Sequence, residues 1–315
     1  MRCRGVVFFL AVCLLAGSAL ATQIQLARVP ASAQWVFHFD TDRFNVSKMK
    51  TLLTNDLNGA QSLPWMNTFQ SRFGFDPIKD VKGVTVYGTK YDGNGGVVLI
   101  DLGFDAASLV AAWRTNPVYQ AFTYETHTAF RSTATGSQTS EDGPRFLAAY
   151  GSRLLVAASS EADLKTAIDA LDGKVPPLRE SPYPALSGLQ PGGIVLAAAG
   201  GYRQYSNAIP AITALQNTEG MALRASESET GENLNVSLSL MLKTAEEAAG
   251  LQQLVQGIMA TMILGGNQDA DVLSLLQNLE VSAAGSQVKL SLSYPSARLY
   301  QMIKKQQAKS HPPGP

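Results

Sequence analysis

Two short turns, Gly151-Ser152 and Gly285-Ser286, stand 134 residues apart and are followed by the same succession of features. An alternating strand comes after each, carrying Leu154, Val156 and Ala158 in one case and Val288, Leu290 and Leu292 in the other. A helical pattern then places Leu164, Ala167 and Ile168 opposite Leu299, Met302 and Ile303, at an offset of 135. Upstream, the turn at Asp92-Gly93 matches the one at Thr230-Gly231, at an offset of 138. Three consecutive elements in one order and at nearly one spacing point to an internal duplication. Its unit is strand, helix, hairpin, helix, hairpin, helix.

The strands are two-faced. Trp35, Phe37 and Phe39 alternate with Val36, His38 and Asp40, and the same period runs through Val81 to Thr89 and Gly96 to Gly103. Period-two patterns joined by tight turns imply antiparallel sheet, with helices stacked on one side of it. The predicted class is therefore α+β, built of two pseudo-repeated halves. Helices are expected over Asp42 to Asn55, Trp65 to Arg72, Asp105 to Arg114, Ser160 to Leu171, Tyr202 to Asn217, Thr244 to Leu264 and Asp269 to Asn278, with a last one after Pro295. Ala134 to Gly143 reads as a polar loop. Pro176, Pro177, Pro182 and Pro184 crowd the stretch from Lys174 to Pro184, which marks the boundary between a first repeat over 22–175 and a second over 176–308. Residues 309–315 form a frayed tail.

Residues 1–21 read as a secretory signal peptide. Met1-Arg2-Cys3-Arg4 is a basic start, Val6 to Leu15 an apolar run too short to span a bilayer, and Ala19-Leu20-Ala21 a small-x-small cleavage triplet. Cleavage after Ala21, with Ala19 and Ala21 as the small residues, leaves a chain that starts at Thr22. Cys13 is a poor lipidation site, because branched Val12 precedes it and Leu14 and Leu15 continue the apolar run. Cys3 and Cys13 are the only cysteines, so the exported chain has no disulfide and relies on its core. That pattern favours the periplasm or surface of a bacterium, and the sequons at Asn45 and Asn235 read as chance. Without Arg2 and Arg4 the chain carries 23 basic and 25 acidic residues, which gives no excess to neutralise phosphates and argues against a nucleic-acid partner.

Val29 to Asp42 (VPASAQWVFHFDTD) and Phe73 to Val81 (FGFDPIKDV), followed by Val84 to Gly88, resemble the opening of a group of uncharacterised secreted bacterial proteins found in planctomycetes and their relatives. The resemblance covers residues 29 to 103, and the second half follows in element order. It implies secretion and the duplicated α+β architecture, and brings no activity with it.

His38, Asp40 and Asp42 form the one local cluster with metal-binding or acid–base potential. A divalent ion needs more ligands than these, and His127 is the other imidazole within the folded part. The plainer reading makes Asp40 or Asp42 a helix cap and His38 a sheet residue. No nucleophile elbow is present. Adjacent Glu246 and Glu247 diverge on a helix and fit a cap better than a carboxylate pair. Gly265 to Asp271 lacks the glycine and glutamate of a calcium loop, and Gly192-Gly193 and Gly200-Gly201 fit turns better than a phosphate loop. No catalytic, cofactor or metal residue is assigned. Leu251, Leu254, Val255, Ile258, Met259, Met262 and Ile263 make a wide apolar stripe that is expected to pack on the sheet. The chain reads as an exported, soluble, non-catalytic protein that binds a protein or envelope partner, with no transmembrane anchor once the leader is removed. The alternatives are a periplasmic carrier holding an apolar ligand beside the Thr244 to Leu264 helix, and a hydrolase with a cryptic site near His38 and Asp40.

Overall fold

The computed structural model describes residues 23–57, 75, 79–91, 96–133, 145–202, 218–265 and 269–310. The leader, the helices expected at Trp65 to Arg72 and after Tyr202, the turn at Asp92 to Gly95, the loop at Ala134 to Gly143 and the final prolines lie outside them.

The strands are β1 (Trp35–Asp40), β2 (Val81–Gly88), β3 (Val97–Leu102), β4 (Tyr119–Tyr124), β5 (His127–Ser132), β6 (Phe146–Tyr150), β7 (Leu154–Ala158), β8 (Val195–Gly200), β9 (Gly220–Glu227), β10 (Asn233–Met241), β11 (Leu279–Ala284) and β12 (Gln287–Pro295). They join in one 12-stranded sheet, ordered β11-β12-β10-β9-β8-β1-β2-β3-β7-β6-β5-β4. Every neighbouring pair is antiparallel. The two halves meet where β1 pairs with β8, from Trp35 opposite Ala199 to Phe39 opposite Val195. Gly88 in β2 lies under the Trp35 indole, where a Cβ would stand 2.6 Å from the ring, so only glycine fits.

The helices are α1 (Thr41–Asn45), α2 (Lys48–Leu57), α3 (Ala107–Thr115), α4 (Glu161–Leu171), α5 (Pro184–Ser187), α6 (Ala245–Leu264), α7 (Ala270–Gln277) and α8 (Ser296–Ser310). Side-chain caps fix several starts: Ser160 Oγ accepts from Asp163 N at 3.1 Å, Thr244 Oγ1 from Glu247 N at 3.2 Å and Asp269 Oδ1 from Asp271 N at 2.9 Å. The single helix expected over Asp42 to Asn55 is two. Val46-Ser47 breaks it, and Glu227 from β9 accepts from the Lys48 and Met49 backbone N–H groups at 2.8 and 2.7 Å.

Helices cover both faces of the sheet, not one side as the alternating strands suggested. Leu154, Val156 and Ala158 of β7 pack with Leu164, Ala167 and Ile168 of α4, while Leu155 and Ala157 point the other way, towards Leu109 and Trp113 of α3. Successive strand residues face opposite sides, so β7 reads as the continuous apolar run Leu-Leu-Val-Ala-Ala because both of its sides are buried. The α4 face also takes α5 and the segment around Ile24, Leu26 and Val29. Following the register from Phe37 through Ala197, Leu223 and Leu238 puts α6 on the α3 face, with α1 and α2.

The proline-rich stretch is built into this core. Pro30 bridges to Pro177, Ala31 N donates to Pro176 O at 2.8 Å, and Leu178 is fully buried. The second half is thinner. On β11 and β12 the side away from α6 carries Glu280, Ser282, Lys289 and Ser293, all exposed. The helix match drawn from sequence is not reproduced in the packing: Leu164, Ala167 and Ile168 are fully buried, whereas Leu299 and Met302 on α8 are half-buried and Ile303 is 43% exposed. Among the described side chains of α8, Ser296 and Tyr300 are the buried ones.

Candidate functional site

The cluster at the end of β1 is closed and internally partnered. His38 and Asp40 are 1% and 0% exposed. His38 sits opposite Thr85 of β2, and its Nδ1 lies 2.9 Å from Thr85 Oγ1. Asp40 caps α1, its Oδ1 accepting from Arg43 N at 2.9 Å and its Oδ2 lying 3.1 Å from Arg43 Nε. Asp42 turns away to Lys82, with Nζ to Oδ1 at 3.3 Å. Burial drives the Asp40 carboxyl up to about 6, against the lowering pull of the Arg43 backbone and guanidinium. This is a desolvated helix cap, with His38, Asp40 and Asp42 all buried.

His127 does not join it. Five strand steps separate β1 from β5, about 24 Å at ~4.8 Å per step. His127 instead belongs to a polar latch that the sequence reading missed. The tip of the β4–β5 hairpin is pinned there to the end of α4. His127 stacks on Tyr150 with centroids 5.2 Å apart, and its Nε2 lies 3.2 Å from Asp172 Oδ1. Tyr150 donates to Asp172 Oδ1 at 2.9 Å and Tyr124 to Asp169 at 3.1 Å, while Lys174 Nζ reaches Asp172 at 3.1 Å and also pairs with Glu125. Burial, and then the acceptor carboxylates, raise both phenols. Tyr124 and His127 flanking a two-residue turn, with Asp169 and Asp172 one helical turn apart, were the available signal. Lys174 fills the position a cation would take.

Among the described residues no three of His, Cys, Asp and Glu gather to hold a metal. Glu246 and Glu247 lie in the first turn of α6, where Glu247 Oε2 accepts from Lys243 N at 3.1 Å, and Asp271 pairs with Lys305 at 2.6 Å. Gly192-Gly193 and Gly201 hold positive φ at the ends of β8. Chelation is therefore expected to leave the melting temperature unchanged. A bound ion at a hundred times its Kd would instead add about 2.7 kcal/mol. Stoichiometric zinc or calcium by elemental analysis, lost in His38→Ala, would overturn this.

The apolar stripe of α6 is the feature that the fold leaves open. Ala248 alone is buried in that helix, while Leu251 packs beside Leu240, Leu242 and Val288 of the sheet. Leu254, Ile258 and Leu264, the first two expected to pack on the sheet, are 56%, 52% and 86% exposed. The inward residues Val255, Met259, Met262 and Ile263 are half-buried. Single exposed apolar residues are ordinary on a soluble protein, but three on one helix uncharged beyond its first turn make a surface suited to contact. No described helix is long and apolar enough to cross a membrane.

The described chain is thus of the α+β class, built on a large antiparallel sheet with helices. It is similar in outline to the solved structures of TP0453 in crystal forms I and IV, at 10% and 11% identity, with a TM-score of 0.46 for each. The matches cover 89% and 90% of this chain, and 96% and 97% of those chains. No protein-family model matches the sequence, and neither does any curated protein.

Proposed function

We propose that this is an exported, soluble, non-catalytic binding protein of the bacterial envelope, with its binding surface on the α6 side of the C-terminal half. The exposure of Leu254, Ile258 and Leu264 on a helix without charge beyond its first turn carries the reading. Hydrophobic side chains held in water at a fixed geometry are stabilised only when something covers them. The hydrolase alternative loses ground because His38 and Asp40 are sealed in the sheet. The carrier alternative keeps one point in its favour, the half-buried inner row from Val255 to Ile263, which could line a groove for an apolar ligand.

Export after Ala21 fits a core that begins at Ile24, 4% exposed. The duplicated architecture has support in the strand order. Outward from β1 the sheet runs β1-β2-β3-β7-β6, and outward from β8 it runs β8-β9-β10-β12-β11. In each half three strands follow in sequence and then comes a returning hairpin whose second strand packs inward. The β4–β5 hairpin has no counterpart among the described strands of the second half.

Fluorescence of the apolar dye 8-anilinonaphthalene-1-sulfonate tests the surface. Binding to the native protein should drop several-fold in the double variant Leu254→Asp, Ile258→Asp, with the melting temperature unchanged because both side chains are exposed. Equal dye binding by the two proteins would sink the assignment. Native mass spectrometry of the same material reads the mature mass, expected to start at Thr22, together with any retained apolar ligand. Such a ligand would promote the carrier reading.

A further inference from the structure

Resting on the reading of α6 as the binding surface, we propose that its outer face docks on the same face of a second copy of this chain, the helices lying antiparallel about Gly257. At ~100° per residue, Gly250, Leu254, Gly257, Thr261 and Leu264 fall along one outward line, and all are exposed. A Cβ at Gly250 or Gly257 would meet nothing within 4 Å, so neither glycine is required by the fold of one chain. Mid-helix glycine weakens a helix, and two of them on the bare line open a shallow channel there. Thr261 donates its hydroxyl to Gly257 O at 2.8 Å and so presents its methyl group outward.

A two-fold axis through Gly257 makes this line complementary to itself. Leu264 of one copy then meets Gly250 of the other, Leu254 meets Thr261, and Gln253 meets Ala260. Large residues face small ones throughout, as an isologous contact demands. No charge occurs from Ala248 to Leu264, so like faces do not repel and no oppositely charged partner is called for. A lipid surface is the poorer fit, because interfacial helices carry Lys and Arg on their polar side and α6 has none. A helix of 20 residues is ~30 Å long, and a pair of such strips buries area at the low end of stable interfaces. The dimer is therefore weak and dependent on concentration.

The chain from Thr22 onward contains no cysteine, which allows a clean test. Gly257→Cys places one thiol on the two-fold axis and should cross-link to a covalent dimer under mild oxidation. Gln253→Cys, whose counterpart is Ala260, should not. In sedimentation across a concentration series the wild type should pass from monomer to dimer, with association weakened at least tenfold in Leu264→Arg at an unchanged melting temperature. A monomer at every concentration, or equal cross-linking by the two cysteine variants, overturns the proposal. If dye binding still depends on Leu254 and Ile258 in that event, the binding surface stands and only the second copy is lost; if it does not, both fall. Cosedimentation with phosphatidylethanolamine–phosphatidylglycerol vesicles, abolished by Leu264→Arg, would assign the face to lipid and likewise overturn the second copy.

Discussion

Leu164→Ala should destabilise the protein by about 2–5 kcal/mol, whereas Ile303→Ala, at the position the sequence pattern sets opposite Ile168, should cost well under about 1 kcal/mol. Leu164 is fully buried between α4 and the sheet, among Val156, Ile168 and Leu178. Truncating it removes transfer energy and leaves a cavity in a core closed on every side, where neighbours relax little. Ile303 is 43% exposed and loses mainly surface contact. At ~2–4 °C per kcal/mol for a domain of this order, thermal melts separate the two easily. Equal shifts for both variants would contradict the packing described for α4 and α8.

Raising the pH from about 4 to about 6 should weaken the wild-type protein, and Asp40→Asn should flatten that part of the profile. The folded chain holds the Asp40 proton up to about 6, while the ordinary value is 3.8. Across that interval the folded state binds more protons than the unfolded one, so stability is present in full below the lower value and lost as pH rises through the upper. The gap corresponds to about 3 kcal/mol at ~1.4 kcal/mol per pK unit. Asn keeps an oxygen to accept from Arg43 N, so the α1 cap survives while the buried charge goes. Urea denaturation of both proteins through this range measures it. Parallel profiles would show that Asp40 ionises freely in the fold.

Much of the fold was legible because local chemistry determined it. Gly151 and Gly285 hold positive φ at their turns, Ser160 and Thr244 cap their helices, and the alternation in Trp35 to Asp40 survives as a two-faced strand. What the sequence hid lies in choices that span the chain. Leu155 and Val156 are equally apolar, so no pattern announces that they face different helices. The break at Val46-Ser47 joins a local cap, Ser47 Oγ accepting from Lys50 N at 3.1 Å, to a distant acceptor, Glu227, 179 residues from Lys48. The α6 stripe was legible as apolar but not as exposed. Its width does not say how much of it the sheet covers, and β11, β12 and Leu242 cover only the side of Ala248 and Leu251. The latch around Asp172 likewise joins residues about 45 apart, which only the docking of the hairpin brings together.

The β1–β8 seam also governs the order in which the molecule can be completed. β1 is the first of the described strands along the chain and one of the two at the centre of the sheet, with one neighbour at Val81–Gly88 and the other at Val195–Gly200. Until the ribosome has passed residue 200, the side of β1 that receives β8 is an open edge, with backbone donors and acceptors exposed to any passing strand. Such long-range closure is slow compared with hairpin formation. The nascent first half therefore stays adhesive and incompletely closed for most of its synthesis. That condition suits the export proposed above, for which a chain has to stay threadable until its central strands are closed on both sides.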